Sequence, residues 1–312
     1  MLLQKSMLNI DGFFYFMTKP KFCNQPKKFS YQLALLKSRG MILDADAESC
    51  LSHANYYRLG EFWKYYYEGS SKIFNEGTAF SKIWDEYRND RRLRFLILDA
   101  VERIEVSFKT KLANTISLED GNPFAHTDKK YLKDPTDIKN AYSLFLQKAH
   151  DETTRSTEDF VEAFFDEFDE KELPIWMLVE ILSFGTVSRY YEMLSDNLRK
   201  KIACEYNLDQ YVFRKWLQFL SIVRNMCCHH ARFWKRDFGW KPPVLKQNVY
   251  RNWNPSMDFT KVYGLLCILK YFMNIIRPDS RWHSDLDNFL SSIGDLTPLG
   301  FPNEWKIFVP WR

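Results

Sequence analysis

One short stretch of this chain carries side chains that could act on a phosphodiester. Residues 224–230 read Arg-Asn-Met-Cys-Cys-His-His and hold two of the six histidines in the sequence. A histidine can serve as general base or general acid near neutral pH. An arginine offers a permanent positive charge and a fork of donors that fits phosphate. This combination predicts cleavage of RNA in which the ribose 2′-hydroxyl is the nucleophile, so that no metal is needed.

The candidate residues lie on the polar side of a predicted helix. We place residues 213–236 on one helix at about 100° per residue. Asn225 and His229 are then four apart and share a face. The same face carries Ser221, Arg232 and Arg236, and the opposite face carries Trp216, Leu220, Val223, Cys227 and Trp234.

This placement gives the two histidines different roles. Arg224 flanks the polar face, and its long side chain can reach a phosphate held beside His229. Asn225 can orient His229, whereas His230 turns towards the apolar side, where a histidine is more often a core residue. The predicted catalytic set is therefore Arg224, Asn225 and His229. Cys228 is a nucleophile only in principle, because no separate Cys-His-Asp arrangement supports it.

Charge is distributed unevenly along the chain. The formal net charge is +4, which alone does not predict a nucleic-acid partner. Residues 211–251 carry nine Lys or Arg and one Asp, a net charge of +8, and they include the histidine pair. Residues 151–172 carry ten acidic and two basic side chains, a net charge of −8. The basic segment is either a footprint for a polyanion or a solvated basic face.

Cysteine usage and hydropathy indicate a cytoplasmic protein. The six cysteines are not regularly spaced, and the adjacent Cys227 and Cys228 suit neither a CxxC redox site nor a zinc knuckle. We expect free thiols in a reducing compartment, no metal and no cofactor. No apolar run reaches about 18 residues, so no membrane span is predicted.

Hydrophobic periodicity predicts an almost entirely helical chain. Apolar residues recur at three- and four-residue steps through 90–116, the helical period. Two domains are expected, 1–75 with an aromatic segment and 76–312 with the histidine pair, or one continuous domain. Irregular structure is predicted for 237–256 and for the tail 294–312. The predicted helices are 30–39, 48–55, 78–87, 90–116, 136–150, 157–169, 174–183, 186–194, 195–205, 209–235, 258–276 and 282–293.

Several motifs together resemble a known family. Arg224-Asn225-x-x-x-His229 fits the R-x(4–6)-H signature of HEPN ribonucleases. The longer string 224–236 resembles the Abi-like proteins of bacterial abortive infection, the AbiD/AbiF group. Cys228 and Lys235 stand where that family usually has Ala and Asn. Further matching blocks, in order, are Lys19-Pro20, Gln32-Leu33, Arg39-Gly40, Asn55 to Leu59, Gly77-Thr78, Asp90 to Arg94, Ile104 to Val106, Leu173 to Trp176 and Phe184-Gly185.

The resemblance implies an all-α HEPN-type bundle with extra N-terminal helices and an irregular C-terminal strap. It also implies an RNA-cleaving homodimer in which two copies of the motif meet, and a small non-coding RNA that restrains the nuclease. An RNA-binding module that does not cleave, and a structural or protein-interaction bundle, are the alternatives. The residues expected to contact RNA are Arg58, Arg88, Arg91, Arg92, Arg94, Lys109, Lys111, Arg232, Lys235 and Arg236. The aromatic run 62–67 is either packing or a surface for unpaired bases.

Overall fold

The described residues from Phe29 to Ile293 are mostly helical. The computed structural model describes residues 9–10, 13–14, 25–133, 135–239 and 258–311. A short antiparallel ladder pairs β1 (Asn9–Ile10) with β2 (Phe13–Phe14). The described residues then form twelve α-helices, so the all-α prediction is confirmed. They are α1 (Phe29–Ser38), α2 (Ala47–His53), α3 (Tyr56–Trp63), α4 (Phe80–Ser117), α5 (Pro135–Arg155), α6 (Asp159–Glu167), α7 (Ile175–Ile181), α8 (Phe184–Met193), α9 (Asp196–Cys204), α10 (Gln210–Cys228), α11 (Val262–Ile276) and α12 (Arg281–Ile293).

Two compact units divide the chain, Met1–Lys82 and Ile83–Arg312. In the first, α1 packs against α2. Gly40 ends α1 with a positive φ of 94°, a conformation that glycine adopts without steric cost. The helix α3 was not predicted, although Asn55 caps it by accepting a hydrogen bond from the Tyr57 N–H at 2.9 Å.

The long helix α4 supplies the core of the second unit. Its apolar stripe is buried, as the pattern through 90–116 predicted, except that Leu96 is half-buried. The completely buried residues of the stripe are Leu93, Ile97, Ala100, Ile104, Phe108 and Leu112. The Phe108 ring meets the rings of Tyr191 on α8 and Phe213 on α10 edge to face, both at 5.8 Å between centroids. On α12, the Trp282 indole N–H donates to the Leu96 carbonyl at 2.8 Å. These contacts fix α8, α10 and α12 against α4.

Some predicted boundaries were wrong. The two helices predicted at 78–87 and 90–116 are one helix, α4, which begins at Phe80. The Thr78 hydroxyl donates to the Asn75 carbonyl instead of capping a helix. The helix predicted for 209–235 ends at Cys228. The tail is irregular, as predicted, with only 3-10 turns at Thr297–Leu299 and Trp305–Ile307. Most of the predicted loop 237–256 lies outside the described residues, as does Cys23.

Candidate active site

The C-terminal end of α10 carries the candidate catalytic residues. Asp209 begins this helix by accepting a hydrogen bond from the Tyr211 N–H at 2.8 Å. One face of α10 is buried and packs against α8 and α9. Asn225, Cys228 and His229 are exposed on the other side, and Arg224 is half-buried. The predicted division of this helix into a core face and a polar face is therefore confirmed as far as Cys228.

A tight hydrogen-bonded turn ends α10 at the histidine pair. The His230 N–H donates to the Cys227 carbonyl at 3.0 Å, and the Ala231 N–H donates to the Met226 carbonyl at 2.8 Å. These two bonds, with a left-handed residue between them, define a Schellman motif. His230 is that left-handed residue, with φ of 56°. It occupies the position at which helices most often have glycine.

The turn corrects two sequence predictions. Arg232 and Arg236 do not continue the helical face of Asn225, because the chain has left the helix at residue 229. His230 is exposed and does not lean into the core. Of the apolar residues placed opposite, Cys227 and Trp234 are buried as predicted, although Trp234 reaches the core from the segment after the turn.

The three predicted catalytic residues remain close in the chain, with Asn225 and His229 exposed and Arg224 half-buried. The Arg224 guanidinium lies 3.5 Å from the Asn225 side-chain oxygen, at the outer limit of a hydrogen bond. The His229 backbone N–H donates to the Asn225 carbonyl at 2.9 Å, which fixes the His229 backbone one helical turn beyond Asn225. Within the part of the chain that the structure describes, no side chain hydrogen-bonds to the His229 ring. An exposed imidazole can accept a proton from, or donate one to, a bound phosphodiester.

The two adjacent thiols differ in environment. Cys227 is buried, and burial raises the pKa of its thiol to about 12. A thiol with so high a pKa stays protonated and is a poor nucleophile. Cys228 is exposed.

A buried carboxylate on α4 holds the segment that follows the histidines. Asp90 is 0% exposed and accepts hydrogen bonds from the backbone N–H groups of Phe233 at 2.8 Å and Trp234 at 2.7 Å. Its other oxygen pairs with Arg94 one turn further along α4. Burial raises the pKa of the Asp90 carboxyl, while Arg94 and the two amide N–H groups oppose the shift. The sequence placed Asp90 only in a matching block and Arg94 also among the expected RNA contacts. Their contact with the segment after the histidines was missed because 143 residues separate Asp90 from Phe233.

The residues predicted to contact RNA differ in their exposure to solvent. Arg88, Arg91 and Arg92 are exposed on α4, although Arg88 pairs with Asp85 at 3.3 Å. The Arg91 guanidinium lies 5.1 Å from the centre of the Phe95 ring, which is 58% exposed. Arg58, Lys111, Arg232, Lys235 and Arg236 are half-buried.

Two members of the predicted set are unsuitable for contact with RNA. Arg94 is 7% exposed and pairs with Asp90, and Lys109 is 6% exposed and pairs with Glu105 at 3.0 Å. Their charges are already neutralised inside the bundle, so we remove both from the set. Lys111 pairs with Glu205 at 2.8 Å and Lys235 with Glu86 at 3.4 Å, which reduces their net contribution to a basic surface.

Neither a metal cluster nor a membrane-spanning helix is found among the residues that the structure describes. No group of three or more His, Cys, Asp or Glu side chains there is arranged to hold a metal ion. No described helix combines the length and apolar character that crossing a bilayer requires.

Comparison with known families identifies the class of protein that has this helical fold and this motif. The model of the Abi-like protein family matches residues 49–235, which run from α2 through the histidine pair and the segment held by Asp90. The chain belongs to the Abi-like protein family. This membership supports a role in abortive infection, a defence against phage. Searches of curated proteins and of solved structures gave no significant match.

Proposed function

We propose that this Abi-like protein is a metal-independent endoribonuclease of the HEPN type, from the AbiD/AbiF group, acting in the cytoplasm during phage defence. The observation that carries the proposal is the end of α10. There the exposed His229 follows Asn225 by one helical turn, and the Arg224 guanidinium lies 3.5 Å from the Asn225 side-chain oxygen, inside a segment with a net charge of +8. The R-x4-H signature of HEPN ribonucleases matches these residues.

The proposed reaction needs only groups that the chain and the RNA supply. The ribose 2′-oxygen attacks the adjacent phosphorus, and a histidine acting as base removes the 2′-hydroxyl proton. The bond from phosphorus to the 5′-oxygen breaks, and that oxygen takes a proton from an acid. Arg224 stabilises the negative charge on the non-bridging oxygens. The products are a 2′,3′-cyclic phosphate and a 5′-hydroxyl end.

RNA would lie along the exposed side of α4 as well as the end of α10. Arg88, Arg91 and Phe95 follow one another at three- and four-residue steps, so they share a face of α4. Arginines would contact phosphates with little sequence preference. The exposed Phe95 ring, already in contact with the Arg91 guanidinium, offers a surface on which an unpaired base can stack.

A homodimer would complete the site. The sequence contains one R-x4-H motif, and acid and base catalysis at one phosphodiester calls for two proton-transfer groups. We propose that His229 from each of two chains supplies them. A small non-coding RNA bound to the same basic surface would restrain the nuclease by occupying it until the phage signal arrives.

An RNA-binding module without cleavage is the second candidate. The Arg91–Phe95 pair on α4 favours it, because this surface could bind RNA whether or not the histidines react. Purified protein that retains intact RNA and turns over no RNA substrate would support this function over the first. A structural bundle is the third candidate, supported if RNA binding and toxicity both survive loss of Arg224 and His229.

The test is RNA cleavage in EDTA by the wild type and two variants, Arg224→Ala and His229→Ala. We expect each variant to lose about 100-fold or more in rate, the typical contribution of a group that transfers a proton or stabilises charge in the transition state. His150→Ala is the matched control, since His150 is exposed on α5 and far along the chain from the motif. Cleavage at the wild-type rate by both variants would refute the assignment.

A further inference from the structure

The Asp90 carboxylate is the main polar contact between α4 and the segment that follows the histidines. The N–H groups of two consecutive residues, Phe233 and Trp234, converge on one oxygen at 2.8 and 2.7 Å. Arg94 pairs with the other oxygen and also donates to the Ala231 carbonyl at 3.3 Å. We call Asp90, Arg94 and these three backbone groups the α4 clamp.

The α4 clamp is both buried and charged, and this combination favours a single arrangement of its groups. Hydrogen bonds to an ionised acceptor are shorter and stronger than neutral ones. A buried carboxylate that moved away from its partners would become an unpaired charge in a low-dielectric interior, which is strongly unfavourable. Phe233 and Trp234 are themselves buried, so the segment is fixed by its side chains as well as its backbone.

The position of the α4 clamp connects it to the histidines. The Schellman motif fixes His230 from the helix side through the bonds to Cys227 and Met226. Ala231 is held from both directions, since its N–H belongs to the turn and its carbonyl accepts from Arg94. The backbone between Cys228 and Ala231 is thereby fixed at both ends, and this backbone carries His229 and His230.

We propose that Asp90, with Arg94, is the positioning residue of the active site, setting where His229 stands relative to Arg224 and to bound RNA. The proposal rests on the ribonuclease function above and assigns a role to residues that touch neither substrate nor the reacting atoms. Loss of the clamp frees the segment after the turn, so the backbone that carries His229 no longer holds one position.

Two measurements on the full-length protein test the proposal. The first is the rate of RNA cleavage in EDTA at several RNA concentrations, for the wild type, Asp90→Asn and Asp90→Ala. We expect kcat to fall at least 10-fold in Asp90→Ala while KM changes less than 3-fold. Asp90→Asn should recover part of that loss, because its side-chain oxygen still accepts from the two amide N–H groups.

The second measurement follows the six histidine rings by NMR in protein labelled at the imidazole carbons. The His229 signals should shift or broaden in Asp90→Asn, and the rings of His53 and His150 should stay unchanged. Asp85→Asn is the matched control for both measurements, since Asp85 is an exposed carboxylate on α4 that pairs with Arg88 at the surface. Arg94→Met replaces Asp90→Ala if the latter fails to fold.

The outcomes separate the two proposals. A wild-type protein that does not cleave RNA overturns the ribonuclease function, and the NMR measurement still decides whether Asp90 positions His229. Wild-type cleavage that Asp90→Asn and Arg94→Met leave unchanged, with unchanged His229 signals, overturns the positioning role. A parallel loss in Asp85→Asn would also overturn it, because the effect would then not belong to the clamp.

Discussion

His230 occupies a backbone position that few side chains tolerate well. Its φ of 56° lies in the left-handed region, which costs a residue with a Cβ roughly 1–2 kcal/mol. The Schellman hydrogen bonds of Cys227 and Met226 hold it there. The same two bonds end α1, where Gly40 takes the corresponding position with φ of 94°. A histidine at this position of α10 therefore carries a conformational cost that the α1 turn avoids.

Substitution of His230 tests this description of the turn. His230→Gly should have a free energy of unfolding within about 1 kcal/mol of the wild type or higher, because glycine adopts this conformation without strain. His230→Val should be less stable than His230→Gly by about 1 kcal/mol or more, since a β-branched residue disfavours it. Urea unfolding measures both variants. Equal stabilities for glycine and valine would show that residue 230 is not left-handed.

Among the elements, the sequence predicted a helix well where the spacing of apolar residues and the position of glycine indicated the same boundaries. The stripe of α4 from Leu93 to Leu112 and the end of α1 at Gly40 follow directly from spacing and from glycine. The end of α10 did not, since residues 229–238 contain no glycine or proline and the apolar residues Phe233 and Trp234 continue a helix-like pattern. Those residues are buried because the α4 clamp returns the chain to the core.

The sequence predicted which residues lie at the candidate site better than it predicted how those residues are arranged. Spacing along α10 placed Asn225 and His229 together, and both are exposed as expected. The exposure of His230 depends on a turn that pattern alone does not predict. The burial of Arg94 and Lys109 depends on carboxylates one turn away on α4, whose pairing reduces the charge that composition suggests.

The start of α10 can be tested independently of its chemistry. Asp209 accepts the Tyr211 N–H at 2.8 Å, so Asp209→Ala should lower the free energy of unfolding by about 1 kcal/mol. Asp209→Asn keeps an acceptor of the same shape and should stay within a few tenths of a kcal/mol of the wild type. Thermal or urea unfolding measures both. Equal losses for alanine and asparagine would show that the side chain does not cap the helix.

At the scale of the whole molecule, one buried histidine links stability to pH. His126 is 0% exposed, and its two ring nitrogens have no hydrogen-bond partner in the described part of the chain. Burial lowers the pKa of this imidazole to about 4. The folded state disfavours protonation of His126, so acid shifts the equilibrium towards the unfolded state. The contribution of neutral His126 to stability is complete above about pH 6.5 and declines as the pH falls towards 4.

The lowered pKa of His126 predicts that the free energy of unfolding falls in mild acid. Between pH 7.5 and pH 5, the wild type should lose about 2 kcal/mol more stability than His126→Leu, which removes the titrating ring. His150→Ala, at an exposed position on α5, should lose as much as the wild type. Urea unfolding at the two pH values measures the differences. The same loss in His126→Leu and the wild type would contradict the prediction.

We propose that this Abi-like protein cuts RNA through the 2′-hydroxyl, with His229 transferring protons and Arg224 stabilising charge. The most direct measurement is the chemical identity of the ends produced by purified wild-type protein in EDTA, with His229→Ala alongside. We expect 2′,3′-cyclic phosphate and 5′-hydroxyl ends from the wild type, and about 100-fold fewer of these ends from His229→Ala. Ends bearing a 5′-phosphate and a 3′-hydroxyl, or equal cleavage by the variant, would contradict it.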